Sequence, residues 1–180
     1  MLPAIANEVP DAAGLIFLSA NISPLPELVR KQVAYLRTLG QPTKAELSSY
    51  DEMDKQLDQL SNMAGDTPED TLLFGAYPAY WRYLEAYHPA ELVSGIAVPM
   101  LFIAGGRDYQ VPASELDLWK EALAGSTEDA VRIYHIYPEL NHLLIAGEGP
   151  PNPDEYAVPG LVDTAVGADI AEFIRTSSKS

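Results

Sequence analysis

Val98-Pro-Met-Leu-Phe-Ile-Ala-Gly-Gly-Arg-Asp-Tyr-Gln-Val-Pro112 decides the architecture of this chain. Its first half is an almost unbroken apolar run, the pattern of a strand buried on both faces. The glycine pair then lets the chain turn sharply, and Asp108 follows at once. Two other short runs have the same character. Gly14-Leu-Ile-Phe-Leu-Ser-Ala20 lies upstream, and Val131-Arg-Ile-Tyr-His-Ile-Tyr137 downstream, where β-branched and aromatic residues alternate.

Helical stripes separate these runs. Leu25, Leu28, Val29, Val33, Leu36 and Leu39 form one, and Leu47, Tyr50, Met53, Leu57, Leu60 and Ala64 a second. Leu116, Trp119 and Leu123 follow the middle run, and Val162 to Ile174 the last, before a polar tail expected to fray from Thr176. Strands alternating with helices imply an α/β fold, with three parallel strands in chain order and right-handed crossovers.

One connection is far longer than a crossover needs. Residues 21–97 hold two or three helices and an aromatic cluster of Tyr77, Tyr80, Trp81, Tyr83 and Tyr87. The expected organisation is therefore a core from residues 1–20 and 98–180, with 21–97 inserted as a helical cap over one end of the sheet. No internal repeat is visible, and the biased loop Gly147-Glu-Gly-Pro-Pro-Asn-Pro-Asp154 is too short and stiff for a domain linker.

The chain has 180 residues, 47% of them hydrophobic and 21% charged, enough for one sizeable core. Eleven Lys and Arg against 26 Asp and Glu leave a net charge of −15. Such a surface repels phosphates and anionic lipid, which argues against nucleic-acid and membrane partners. No apolar run approaches the roughly 18 to 20 residues that span a bilayer. With no cysteine there is no disulfide framework, thiolate metal site or cysteine nucleophile. The apolar stretch Gly14–Ala20 lacks the basic leader of a secretion signal, since Arg30 is the first basic residue. That favours the cytoplasm for these residues, although a signal in a preceding segment is compatible with them.

In a parallel α/β sheet, ligands bind beyond the carboxyl ends of the strands. Asp108 stands at one such end. His142, in Tyr137-Pro-Glu-Leu-Asn-His142, stands at the next. A carboxylate beside an imidazole fixes its tautomer and stabilises the imidazolium, freeing the other ring nitrogen to take a proton from a nucleophile. On spacing alone the bland readings stay open: an Asp of turn chemistry and a solvated loop His. The three histidines have no metal-ligand spacing, so a metal site is not expected, and the proton transfer such a pair performs requires no cofactor. His88, before a proline, reads as a surface or capping residue, and His135 as a strand residue, packed or half-exposed. The acidic helix from Glu46 to Asp58 reads as a solvated face.

The blocks Pro99–Pro112 and Tyr137–His142 resemble the C-terminal part of the α/β-hydrolase superfamily, nearest the bacterial dienelactone-hydrolase-like and prolyl-oligopeptidase-like esterases. The resemblance covers nearly the whole chain. It implies that the three strands are the family's sixth, seventh and eighth, and that Asp108 and His142 are the triad acid and base. It also implies a small acyl or ester substrate for the full-length protein, with Tyr80, Trp81 and Tyr109 as pocket-wall candidates. Ser23 stands where relatives carry a basic residue.

The departure is the nucleophile. The family's Ser stands in a G-x-S-x-G elbow, and no such motif occurs here; Ser19, Ser94, Ser114 and Ser126 lack the flanking glycines. Met1-Leu-Pro-Ala-Ile-Ala resembles the helix after that elbow, so the expectation is a back half of a hydrolase. The elbow, five strands and the oxyanion donors would precede residue 1, and these residues alone would be inactive. A non-catalytic binding module, or a fragment complemented by a separate N-terminal chain, is the alternative. Either way, the apolar strand Leu15–Leu18 would present an open edge for self-association or for such a complement, with Pro10 and Asp11 guarding only its start.

Overall fold

The computed structural model describes residues 1–9, 11–126 and 130–177. Three strands, β1 (Leu15–Leu18), β2 (Met100–Gly105) and β3 (Arg132–Tyr137), form one parallel sheet in the order β1-β2-β3. Every residue of β2 is buried, as its continuous apolar run requires of a central strand. Its side chains alternate between two cores. Met100, Phe102 and Ala104 join Leu15, Phe17, Leu116 and Trp119 on one face, while Leu101 and Ile103 join Leu140, Val166 and Phe173 on the other.

The first face is organised by aromatic rings. Register places Phe17, Phe102 and Tyr134 side by side, and the rings stack at 4.3 and 4.9 Å between centroids. Trp119, from α6 (Glu115–Ala124), packs on Phe17 and Phe102. Its indole N–H donates to the Ala20 carbonyl at 2.9 Å, so α6 also holds the segment that leaves β1. The buried carboxylate of Glu115 accepts from the Ile22 N–H at 2.9 Å in the same region. The second face is covered by α7 (Thr164–Ser177), where Asp169 accepts from the Tyr137 hydroxyl and lies 2.5 Å from His135 Nδ1. His135 is thus a half-exposed strand residue with a carboxylate partner. The helix runs through Thr176, whose hydroxyl donates to the Phe173 carbonyl, so the fraying expected from that residue is absent at Thr176 and Ser177; 178–180, like Pro10, lie outside the described residues.

The chain divides into two compact units, Met1–Ile22 with His88–Ser180, and Ser23–Tyr87. The first begins with α1 (Leu2–Glu8), and the second contains α2 (Leu25–Leu36), α3 (Lys44–Ser61) and α4 (Pro78–Glu85). A capping box of Thr43 and Glu46 starts α3. The acidic face of α3 is solvated, and it also carries ion pairs: Arg37, the residue after α2, bonds both Asp51 and Asp54, and Arg30 bonds Asp58. A fourth helix, α5 (Pro89–Ser94), is one more than expected before β2. It belongs to the sheet unit because Val93 and the following Ile96 enter the sheet's core. His88 is exposed and occupies the N-cap of α5 without a side-chain cap bond.

Along β1, the Leu15 and Ser19 amides donate to Pro99 and Ile103 of the β2 side. Parallel pairing therefore turns the Ile16 and Leu18 amides to the opposite edge. Among the described residues no strand pairs with that edge.

Candidate active site

Gly105 and Tyr137 are register partners at the ends of β2 and β3, so the two following loops leave the same edge of the sheet. They meet backbone to backbone. The Gly106 N–H donates to the Tyr137 carbonyl at 2.7 Å, and the Arg107 N–H to the Leu140 carbonyl at 2.9 Å. A methyl on Gly105 would lie 2.3 Å from the Leu140 carbonyl oxygen, and one on Gly106 would lie 2.7 Å from the Pro138 Cα. Neither glycine has a positive φ. The pair is therefore required by close approach rather than by the sharp turn that the sequence suggested.

This approach brings Asp108 to His142. Asp108 is buried, and its Oδ1 accepts from the backbone N–H groups of Gln110 (2.9 Å) and Val111 (2.8 Å). Its Oδ2 lies 2.8 Å from His142 Nδ1. An ionised carboxylate only accepts, so Nδ1 carries the proton and Nε2 is left as the free acceptor. The hydrogen bond to Asp108 pushes the His142 pKa above the ordinary imidazole value, against the opposing effect of desolvation. The imidazole is partly exposed, with 29% of its side-chain surface accessible. The arrangement can accept a proton at Nε2 and stabilise the cation that results.

The His142 turn is tightly made. The Asn141 N–H donates to the Ile145 carbonyl, and the buried Asn141 Oδ1 accepts from the Leu143 and Ile145 N–H groups at 3.0 and 3.2 Å. Leu144 sits at φ 58°, a left-handed conformation unfavourable for leucine. Ser19, at φ 42° beyond β1, donates its hydroxyl to the His142 carbonyl at 3.4 Å.

Tyr109 is half-buried beside the acid, its ring 6.3 Å from that of Tyr156. Tyr156 belongs to the short 3-10 helix Pro153–Ala157; burial raises its hydroxyl pKa, and Gln110 and the His142 main chain lie next to it. Tyr80 and Trp81 lie in the other unit, on α4. Tyr80 is exposed, whereas Trp81 is buried, with its N–H on the Leu73 carbonyl at 3.0 Å and its ring against Phe74. Ser23, the first residue of that unit, is buried. Ser94 donates to the Glu91 carbonyl, Ser114 precedes α6, and Ser126 follows it.

Sequence reasoning missed Arg107, Asn141, Glu155 and Tyr156. Arg107 and Asn141 directly precede the pair, and both bond Glu155. The first two were adjacent to residues already singled out, which was the available signal; Glu155 and Tyr156 gave none. Among the described residues no cluster of three metal-ligating side chains occurs, and no helix is long and apolar enough to cross a membrane. A shallow, largely apolar cavity of about 130 Å³, lined by Gly14, Ile16 and Phe173 among others, lies at the amino end of β1, away from the pair.

Over 174 residues the chain is 34% identical to Esterase EstD of Thermotoga maritima, which covers 97% of this chain and 40% of that protein. The chain thus spans about 40% of the length of the curated relative that it matches. No family model matches it. No solved structure matches it either. The similarity supports an esterase-like relationship.

Proposed function

We propose that these residues are the C-terminal part of an α/β-hydrolase, near the dienelactone-hydrolase-like and prolyl-oligopeptidase-like esterases, that cleaves carboxylic esters or related acyl compounds. Asp108 is its acid and His142 its base. The observation that carries this reading is the 2.8 Å contact between Asp108 Oδ2 and His142 Nδ1, with the other carboxylate oxygen held by two backbone amides. The similarity to an esterase supports it independently.

The chemistry needs a serine that these residues do not place in a G-x-S-x-G elbow. As the serine Oγ attacks the acyl carbon, His142 Nε2 takes its proton and the carbonyl pair moves onto oxygen. The imidazolium then gives that proton to the departing alkoxide, leaving an acyl-serine. Water, deprotonated by the same nitrogen, releases the acid and restores the serine. Asp108 stabilises the imidazolium in both halves. No cofactor enters this scheme. We assign Ser23–Tyr87, the part of the expected insertion 21–97 that forms its own unit, the role of the family's cap insertion; Tyr80 and Trp81 in that unit, and Tyr109 in the sheet unit, are each a candidate for substrate recognition.

The test is expression of these residues together with the coding sequence that precedes them in frame. Ester hydrolysis that disappears in Asp108→Asn and His142→Ala supports the reading; full activity in both variants refutes it. The alternative is that the chain is a non-catalytic binding module or is complemented by a separate N-terminal chain. Hydrolysis regained by mixing two separate chains identifies the complemented form.

A further inference from the structure

We infer that Glu155 is a positioning residue for the acid–base pair: it grips Arg107 and Asn141, the residues immediately before Asp108 and His142, and so fixes the spacing of the two loops. The inference rests on the acid–base reading of Asp108 and His142 above.

The grip is a closed network. Glu155 Oε1 accepts from Arg107 Nη2 at 2.5 Å, and Oε2 accepts from Arg107 Nη1 and from Asn141 Nδ2, both at 3.2 Å. Nε donates to the Gly149 carbonyl at 3.1 Å, and Nη2 also lies within bonding distance of the Glu148 (2.9 Å) and Gly149 (3.0 Å) carbonyls. Both charged side chains are largely out of water, at 9% and 17% accessibility. Arg107 accordingly holds the Glu155 carboxyl below the usual carboxylate range. The guanidinium also has a fitted slot, since a methyl on Gly147 would lie 2.1 Å from Nη1.

A desolvated ion pair contributes little net stability compared with apolar packing. Its placement here is more informative. On one side Arg107 leads covalently into Asp108. On the other, Asn141 donates through Nδ2 to Glu155 while its Oδ1 pins the turn containing the left-handed Leu144. The residue after Asn141 is His142. One carboxylate thus joins both arms of the pair through segments 48 and 14 residues away in the chain. A misplacement of about 1 Å costs on the order of a hundredfold in rate, so such a brace matters to proton transfer.

The experiment is an NMR titration of the uniformly nitrogen-15-labelled chain, reading the titration midpoint and the tautomer of His142. In the unaltered protein His142 titrates above 6.5, protonated on Nδ1 when neutral. Glu155→Ala should bring the midpoint down toward 6.5 and mix the tautomers, with the β2 amide signals unmoved. Gly147→Ala displaces the guanidinium while leaving every charge in place, and its φ is not left-handed, so it isolates geometry from the loss of the Glu155 field. It should act in the same direction. Should Glu155→Ala not fold, Glu155→Gln, which keeps the shape and one acceptor, is read the same way. Unaltered His142 behaviour in the folded Glu155 variant and in Gly147→Ala overturns the inference. Asp108→Asn separates the two levels. If it lowers the midpoint while the other variants do not, only the positioning role falls; if it leaves the midpoint unchanged, the acid–base reading itself has failed.

Discussion

Replacing Gly105 by Ala should pull the acid–base pair apart, and the structure fixes by how much. The new methyl would stand 2.3 Å from the Leu140 carbonyl oxygen and 2.7 Å from that of Asn141, where ordinary contact begins near 3.4 Å. Both obstacles are backbone, so no flexible side chain can give way. The loops must part by about 1.1 Å, the difference between 3.4 and 2.3 Å. Even half of that separation would carry the Asp108–His142 contact from 2.8 Å past the roughly 3.2 Å limit of a good hydrogen bond. Overpacking of this kind costs about 1 to 3 kcal/mol, which corresponds to a fall of about 1 M in the urea midpoint for a typical slope. Gly125→Ala is the matched control, because a methyl there meets nothing within 4 Å. The assays are urea unfolding followed by circular dichroism and the His142 titration followed by NMR. Gly105→Ala should lower both the midpoint and the His142 pKa, and Gly125→Ala should change neither. A Gly105→Ala protein with the original urea midpoint and the original His142 pKa would refute the close-approach argument.

The raised His142 pKa stabilises the fold fully below about 6.5 and loses that contribution as pH rises through the folded value. Unfolding free energy measured against pH should therefore fall across that window, and Asp108→Asn should flatten the fall; an identical profile in the variant refutes the linkage. Phe102→Ala removes the middle ring of the Phe17–Phe102–Tyr134 stack and should cost about 3 to 5 kcal/mol by chemical denaturation, so a loss under 1 kcal/mol would show that the ladder is not load-sharing. These 180 residues alone should resist fluorophosphonate labelling, and stoichiometric labelling of any of their serines would reveal a nucleophile that the proposal lacks. Light scattering should report self-association through the Ile16 and Leu18 edge at moderate salt, where the charge of −15 is screened beyond about 8 Å, and Leu18→Lys should reduce it. A salt-independent monomer would count against an open edge.

The strands were legible because burial on both faces leaves a simple mark. All six residues of β2 are buried, and the apolar run announced it. Strand order followed from the alternation of strands and helices, and so did the shared edge that holds Asp108 and His142. Membership of α5 was not legible. Its proline start is local, but its allegiance is set by Val93 and Ile96 packing into the sheet's core, which no window of sequence contains. The acidic helix was legible as a solvated face, and Asp51 and Asp58 are exposed; only its ion pairs with Arg30 and Arg37, which lie outside that helix, were not.

The same distinction explains why the pair was found and its surroundings were not. Asp108 and His142 each sit at a strand end, so topology alone brings them to one edge. Arg107, Asn141 and Glu155 have no such rule. Arg107 reads singly as a loop cation, Asn141 as a turn former and Glu155 as a surface acid. Only the closure of two loops, made possible by the absence of side chains at Gly105, Gly106 and Gly147, turns three ordinary residues into one network. Those glycines were visible, but their reason lies in atoms at least 32 positions further on or, for Gly147, 40 positions back. The sheet is organised by an aromatic stack on one face, and the Asp108–His142 pair has a partly buried ion pair beside it. The stack is apolar and could be anticipated from alternation within strands. The ion pair depends on directional bonds between loops. Loosening it should therefore show first in the proton affinity of His142, before it shows in the integrity of the sheet.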